Sequence, residues 1–111
     1  MLNDLLNRYP CLSEIKDDIT EALEAIINCY EKGGKLLLCG NGGSAADCEH
    51  ISGELLKGFL LERRPEKDEI DLDGNILLKL QRGISAIPLT SFTSALTAFA
   101  NDENGELSFA Q

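Results

Sequence analysis

The feature that most limits what this chain can become is the run Leu36-Leu37-Leu38-Cys39-Gly40-Asn41-Gly42-Gly43-Ser44. A short apolar run bounded by glycines has the pattern of a strand buried on both faces; leucine favours helices, but the flanking glycines decide for a strand. Ser44 to Lys57 then offers Ala45, Ala46, Cys48, Ile51, Leu55 and Leu56 for a packed helical face, with Gly58 as a stop. The pattern over Leu36 to Glu54 is therefore strand, tight glycine turn, helix.

Where such a loop leaves a strand and enters a helix, its amides and the positive helix end converge on a place for an anion. Glycines let the backbone approach closely, and the Ser44 hydroxyl adds a donor. Three uses compete. A nucleotide P-loop needs a Gly-Lys-Ser/Thr ending, which is absent. A dinucleotide fingerprint is met by Gly40, Gly42 and Ala45, but its acidic residue should close a second strand about 20 residues on, and the next strand candidate begins only at Ile84. The third use is a sugar-phosphate site, in which the loop holds a polar substrate and the following helix carries the chemistry. His50 and Glu54 stand i, i+4 on that helix, an imidazole and a carboxylate on one face, suited to sharing a metal ion or a proton. His50 is the only histidine in the chain. An ordinary surface His beside a surface Glu satisfies the spacing equally well, and Glu49 reads as solvent-facing charge.

Elsewhere, Leu2, Leu5 and Leu6 suggest a short first helix ending before Pro10. Leu12 to Lys32 reads as a long amphipathic helix, capped by Ser13 and stopped by Gly33-Gly34, with Ile15, Ile19, Ala22, Leu23, Ile26, Ile27 and Tyr30 at helical spacing. Residues 62 to 81 are charged, with Glu62, Arg63, Arg64, Glu66, Lys67, Asp68, Glu69, Asp71 and Asp73, and read as a long surface excursion with a helical turn at Ile76 to Leu80. Ile84 to Thr90 is a second strand, its Pro88 tolerable near a strand end, and Thr93 to Ala100 a short helix capped by Ser91 or Thr93. Two strands joined by a helical crossover make one βαβ unit, short of a doubly wound sheet. Leu107 to Gln111 reads as the middle of a helix.

A chain of 111 residues has room for one small domain. No apolar run approaches the ~18 residues of a membrane span, and the amino end lacks the features of a secretory signal, so the cytoplasm is expected. Cys11, Cys29, Cys39 and Cys48 form no CxxC pair and read as free, mostly buried thiols. A net charge of −9 argues against a nucleic-acid surface, which needs clustered Lys and Arg. It leaves room for a small anion held by backbone amides.

The residues Leu38-Cys39-Gly40-Asn41-Gly42-Gly43-Ser44-Ala45-Ala46-Asp47, followed by His50 and Glu54, resemble the sugar isomerase (SIS) family, and more narrowly its phosphoheptose isomerase branch. Leu96-Thr97-Ala98-Phe99-Ala100-Asn101-Asp102 resembles that family's second landmark. The resemblance implies a three-layer αβα domain with a flavodoxin-like parallel sheet, residues 1–34 forming leading helices and 35–111 the first part of the sheet domain. It implies a homotetramer with active sites between subunits. The implied reaction is ketose–aldose isomerisation of sedoheptulose 7-phosphate to D-glycero-D-manno-heptose 7-phosphate through an enediol. Carried over by position, Asn41, Gly42, Gly43, Ser44, Asn101 and Asp102 would contact the substrate. His50 and Glu54 would ligate a Zn²⁺ ion, with Glu54 also the proton-transferring base.

Against the family pattern the charged excursion is long, and a second Ser/Thr-rich loop and a closing helix with Gln and His have no counterpart. The expectation is therefore a partial domain, truncated and inactive alone. The alternative to an isomerase is a non-catalytic SIS module that binds a sugar phosphate or a protein partner; the His50–Glu54 pair favours the enzyme.

Overall fold

The computed structural model describes residues 1–58, 60–65 and 73–111, in two compact units, Met1–Gly34 and Lys35–Gln111. In the first, helix α1 (Leu2–Arg8) ends ahead of Pro10, which opens a 3-10 segment, Pro10–Ile15, that leads into α2 (Lys16–Glu31). The long helix thus starts four residues later than its periodicity predicts and has no side-chain cap, with Ile15 and not Ser13 at the cap position. Proline pre-sets φ for a helix start at its own position, so the tighter helix claims Leu12 and Ser13 first. The predicted stop is observed: Gly33 turns left-handed at φ +74, its N–H donating to the Tyr30 carbonyl at 2.9 Å and that of Gly34 to Cys29 at 2.8 Å. Crossed bonds of this kind satisfy the last carbonyls of a helix.

The second unit is built on two parallel strands, β1 (Leu36–Leu38) and β2 (Ala86–Pro88), in the register Leu36↔Ala86, Leu37↔Ile87, Leu38↔Pro88. Pro88 closes β2, where a missing N–H is harmless. Helix α3 (Gly43–Leu56) crosses between the strands and packs on β2, giving a βαβ unit of the α/β class. β1 is not buried on both faces as its composition suggests. Leu36 and Leu38 are half-buried, but Leu37 points the other way and is 56 % exposed.

The packed stripe of α3 is also narrower than its apolar residues predict. Cys48 and Ser52 are buried and Ala45 and Leu55 half-buried, while Ala46, Ile51 and Leu56 are exposed. A two-stranded sheet covers little of a helix, and its deepest contact here is polar: Ser52 is 3 % exposed, and its hydroxyl donates to the Ala86 carbonyl at 2.8 Å. Of the four cysteines only Cys48 is buried; Cys29 is half-buried, and Cys11 and Cys39 are exposed. The expected burial of most thiols therefore fails, because the elements that carry the other three leave them at or near the surface.

The charged excursion is tied down at both ends. Arg63 donates through Nη2 to the carbonyls of Leu55 (2.8 Å) and Lys57 (3.0 Å), capping the C-terminal end of α3, and the Gly58 N–H donates to Gln81 Oε1 at 2.5 Å. The Ile84 N–H donates to Leu55 as well, at 2.9 Å. Glu66, Lys67, Asp68, Glu69 and Asp71 lie outside the described residues. The helical turn is α4 (Gly74–Leu77), earlier than Ile76 to Leu80 because Asp73 caps it, accepting from the Asn75 N–H at 2.7 Å.

After β2 a single 3-10 turn, Leu89–Ser91, leads to α5 (Thr93–Phe99), which begins where predicted but ends one residue short of Ala100. Neither Ser91 nor Thr93 caps it: Phe92 holds that position, and the Thr93 hydroxyl donates back to the Thr90 carbonyl at 3.0 Å. A wide π-type turn, Ala100–Asn104, follows, then a 3-10 turn, Gly105–Leu107. Asn104 and Gly105 interrupt the helical run, after which the Ala110 and Gln111 N–H groups both donate to the Leu107 carbonyl, at 2.9 and 3.1 Å.

Candidate functional site

β1 delivers the chain at the C-terminal edge of the sheet, and the turn into α3 is made by Gly42 at φ +57, ψ −123. That region is closed in practice to residues with a Cβ. Gly40 is glycine for a different reason: a Cβ there would lie 2.7 Å from the Ser44 Cβ and 3.0 Å from its carbonyl carbon. The turn closes with the Ser44 N–H on the Asn41 carbonyl and the Ala45 N–H on that of Gly42, both at 3.1 Å. The amides of Gly42 and Gly43 have no backbone acceptor among the described residues. They stand exposed at the positive end of a 14-residue helix, the arrangement that binds anions.

The orientation of α3 fixes where its polar side chains go. Successive residues turn about 100° around a helix axis. With Ser52 held against Ala86, His50 and Glu54 both lie roughly 160° away from it, on the face turned from the sheet and about 40° from each other. His50 is exposed there, as is Glu49.

Glu54 is half-buried, its Oε1 accepting from Lys57 Nζ at 3.0 Å. Its Oε2 is buried with no hydrogen-bond partner among the described residues. Sequence reasoning did not weigh Lys57; its i, i+3 spacing from Glu54 was the available signal.

A carboxylate oxygen left without a donor suits a cation or a substrate proton, and with His50 one turn away the pair fits two positions of a zinc shell. Two donors do not complete one. Among the described residues no three His, Cys, Asp or Glu side chains gather around a common point.

The loop and the carboxylate are not neighbours. From Gly43 to Glu54 α3 rises about 16 Å, three turns. Asn101 and Asp102 lie in the turn after α5, both exposed, joined to each other by Asn101 Nδ2 donating to Asp102 Oδ1 at 2.8 Å. The turn of residues 41–44 opens α3, and Glu54 stands about three turns further along it.

Comparison with known proteins bears on what those residues serve. The family model described as the SIS domain matches residues 4–91, which include the loop, His50 and Glu54. The chain belongs to the SIS domain family. Curated relatives include the phosphoheptose isomerase of Roseiflexus sp. strain RS-1, 41 % identical over 93 residues, which are 84 % of this chain and 38 % of the relative. That of Helicobacter pylori strain P12 is 37 % identical over 100 residues, 90 % of this chain and 43 % of its own length. The counterpart in Campylobacter jejuni subsp. jejuni serotype O:6 is 37 % identical over 97 residues, 87 % of this chain and 42 % of the relative. The chain therefore spans about two fifths of the length of these relatives. Asn101 and Asp102 fall outside the family match. Among the described residues no helix is long and apolar enough to cross a membrane.

Proposed function

We propose that this SIS chain forms part of a ketose–aldose isomerase acting on a sugar phosphate, with sedoheptulose 7-phosphate converted to D-glycero-D-manno-heptose 7-phosphate. The observation that carries the proposal is the match to phosphoheptose isomerases across a helix that bears the glycine turn at its start and His50 with Glu54 on the face turned from the sheet. The amides of Gly42 and Gly43, with Asn41 and Ser44, hold the anionic or hydroxylated part of the substrate; Asn101 and Asp102 bind sugar hydroxyls. Glu54, through its unpartnered Oε2, takes the proton from C1 of the ketose and returns it to C2, giving the aldose through an enediol. His50 and Glu54 would hold a Zn²⁺ ion, which when bound supplies electrophilic stabilisation of the enediolate oxygens.

Because the pair faces away from its own sheet and stands three turns from the glycine turn, the site is completed from outside this unit, in keeping with a homotetramer whose sites lie between subunits. The enzyme is placed in the cytoplasm. The test is deuterium wash-in at C1 of sedoheptulose 7-phosphate in D₂O, followed by proton NMR. The full-length isomerase that contains this segment exchanges that hydrogen, and its Glu54→Gln variant does not. Equal exchange in the variant removes Glu54 from the base role, and binding without any exchange by the unmodified protein points to a non-catalytic module.

A further inference from the structure

We infer that Thr90, which no motif singled out, is a substrate-binding residue: its hydroxyl donates to an oxygen of the sugar phosphate that the glycine loop holds. The inference rests on the function proposed above and adds to it a residue from the second strand.

Three observations converge on this position. The strands are parallel, and the register that sets Leu38 against Pro88 carries Gly40 and Thr90 out at the same, C-terminal edge of the sheet. The turn Leu89–Ser91 packs beside β1, the strand that feeds the loop. In open α/β sheets, the crevice outside the carboxyl ends of adjacent strands is where ligands bind. The Thr90 hydroxyl is buried and has no hydrogen-bond partner among the described residues. A buried hydroxyl is nearly always paired, and leaving one unpaired destabilises the fold, so a ligand oxygen brought to this edge meets a donor that no described protein group uses.

The neighbouring threonines supply no acceptor. The Thr93 hydroxyl is turned to the Thr90 carbonyl, donating at 3.0 Å, and the Thr97 hydroxyl donates to the Thr93 carbonyl at 2.8 Å, so neither threonine that follows pairs with the Thr90 hydroxyl. Thr90 alone of the three is left over at the sheet edge. The backbone amides of the loop donate only; the Thr90 hydroxyl, like that of Ser44, both donates and accepts, so it can meet either a phosphoryl oxygen or a sugar hydroxyl. The chemical class it takes is thus an oxygen of a phosphorylated polyol.

The test compares Thr90→Val, which keeps the shape and removes the hydroxyl, with Thr90→Ser, which keeps the hydroxyl. Binding of sedoheptulose 7-phosphate is measured by calorimetry, and thermal midpoints are measured without ligand. Thr90→Val weakens binding about 10-fold and raises the ligand-free Tm by roughly 4–8 °C, because an unpaired hydroxyl has been replaced by a methyl group; Thr90→Ser binds within about twofold of the parent. Unchanged affinity in Thr90→Val overturns the assignment and leaves the proposed function standing. A lowered Tm in Thr90→Val overturns it too, since the hydroxyl then has a partner in the free protein. If the unmodified protein binds no sugar phosphate, the proposed function fails and Thr90 fails with it.

Discussion

The glycines of the loop make separable demands, and substituting each by alanine tests the geometry of the anion cradle directly. At Gly40 the obstacle is steric. A Cβ would sit 2.7 Å from the Ser44 Cβ, whereas unstrained carbon contacts begin at about 3.5 Å, so the backbone of residues 40–44 must open by close to 1 Å. Overpacking of that kind costs about 1–3 kcal/mol. It also pulls on the 3.1 Å bond from the Ser44 N–H to Asn41.

At Gly42 there is room for a Cβ, with nothing within 4 Å, but φ is +57 and ψ −123, so alanine is strained by about 1–3 kcal/mol. At Gly43 neither demand applies: nothing lies within 4 Å and φ is not positive. Alanine there gains helix propensity, up to about 1 kcal/mol. Urea melts should therefore rank Gly43→Ala at or above the parent, with Gly40→Ala and Gly42→Ala each about 2 kcal/mol below it. Calorimetric titration with a sugar phosphate should show a loss of about 10- to 100-fold in Gly40→Ala, whose amides are displaced by close to 1 Å. Gly43→Ala should bind normally, because its amide is kept. If Gly40→Ala melts and binds like Gly43→Ala, the close approach of Gly40 to Ser44 is not a feature of the folded protein.

Two further substitutions probe how α3 is held. Ser52→Ala leaves the Ala86 carbonyl buried without its 2.8 Å donor and should lower stability by about 1–3 kcal/mol, read as a fall in the urea midpoint at constant slope. Arg63→Met removes the bonds to Leu55 and Lys57 and should unprotect the amides of the last turn of α3 in hydrogen exchange by about 10-fold or more, leaving those of its first turn unchanged.

How legible this was depended on whether the deciding interaction was local. The strand–loop–helix at Leu36 to Glu54 could be read because glycine and proline signals act on their immediate neighbours, and the same holds for the end of α1 and the stop at Gly33-Gly34. The start of α2 does not follow from apolar spacing, because Pro10 gives the next residues a tighter helix that the spacing does not reveal. Long-range contacts were out of reach. Nothing in the sequence says that Ser52 rather than Ile51 meets β2, or that Arg63 reaches back to the carbonyls of α3. The excursion looked like free surface because its charges were visible and their acceptors, backbone oxygens of Leu55, Lys57 and Leu78, were not. Glu54 could be nominated from spacing; that one of its oxygens is buried and unpartnered could not.

Helix α3 is tied at three levels: by the glycine turn at its start, by Ser52 to Ala86 in its last third, and by Arg63 and Ile84 at its end. Each tie constrains a different motion. The glycine turn sets where the helix begins, the Ser52 bond sets its rotation, and the end ties resist fraying of the turn that carries Glu54 and Lys57. Of these the rotation matters most to the chemistry. A slip of one residue about the axis is about 100°, enough to carry His50 and Glu54 from the open face to the flank of the helix. The buried polar contact has a use that an apolar one would lack, since a hydrogen bond with one donor and one acceptor selects a single angular setting where a methyl against a methylene tolerates many. On that argument Ser52→Cys, which keeps nearly the same shape but donates only weakly, should keep much of the stability lost in Ser52→Ala. It should still impair any reaction that needs His50 and Glu54 in register, by lowering kcat more than it raises KM.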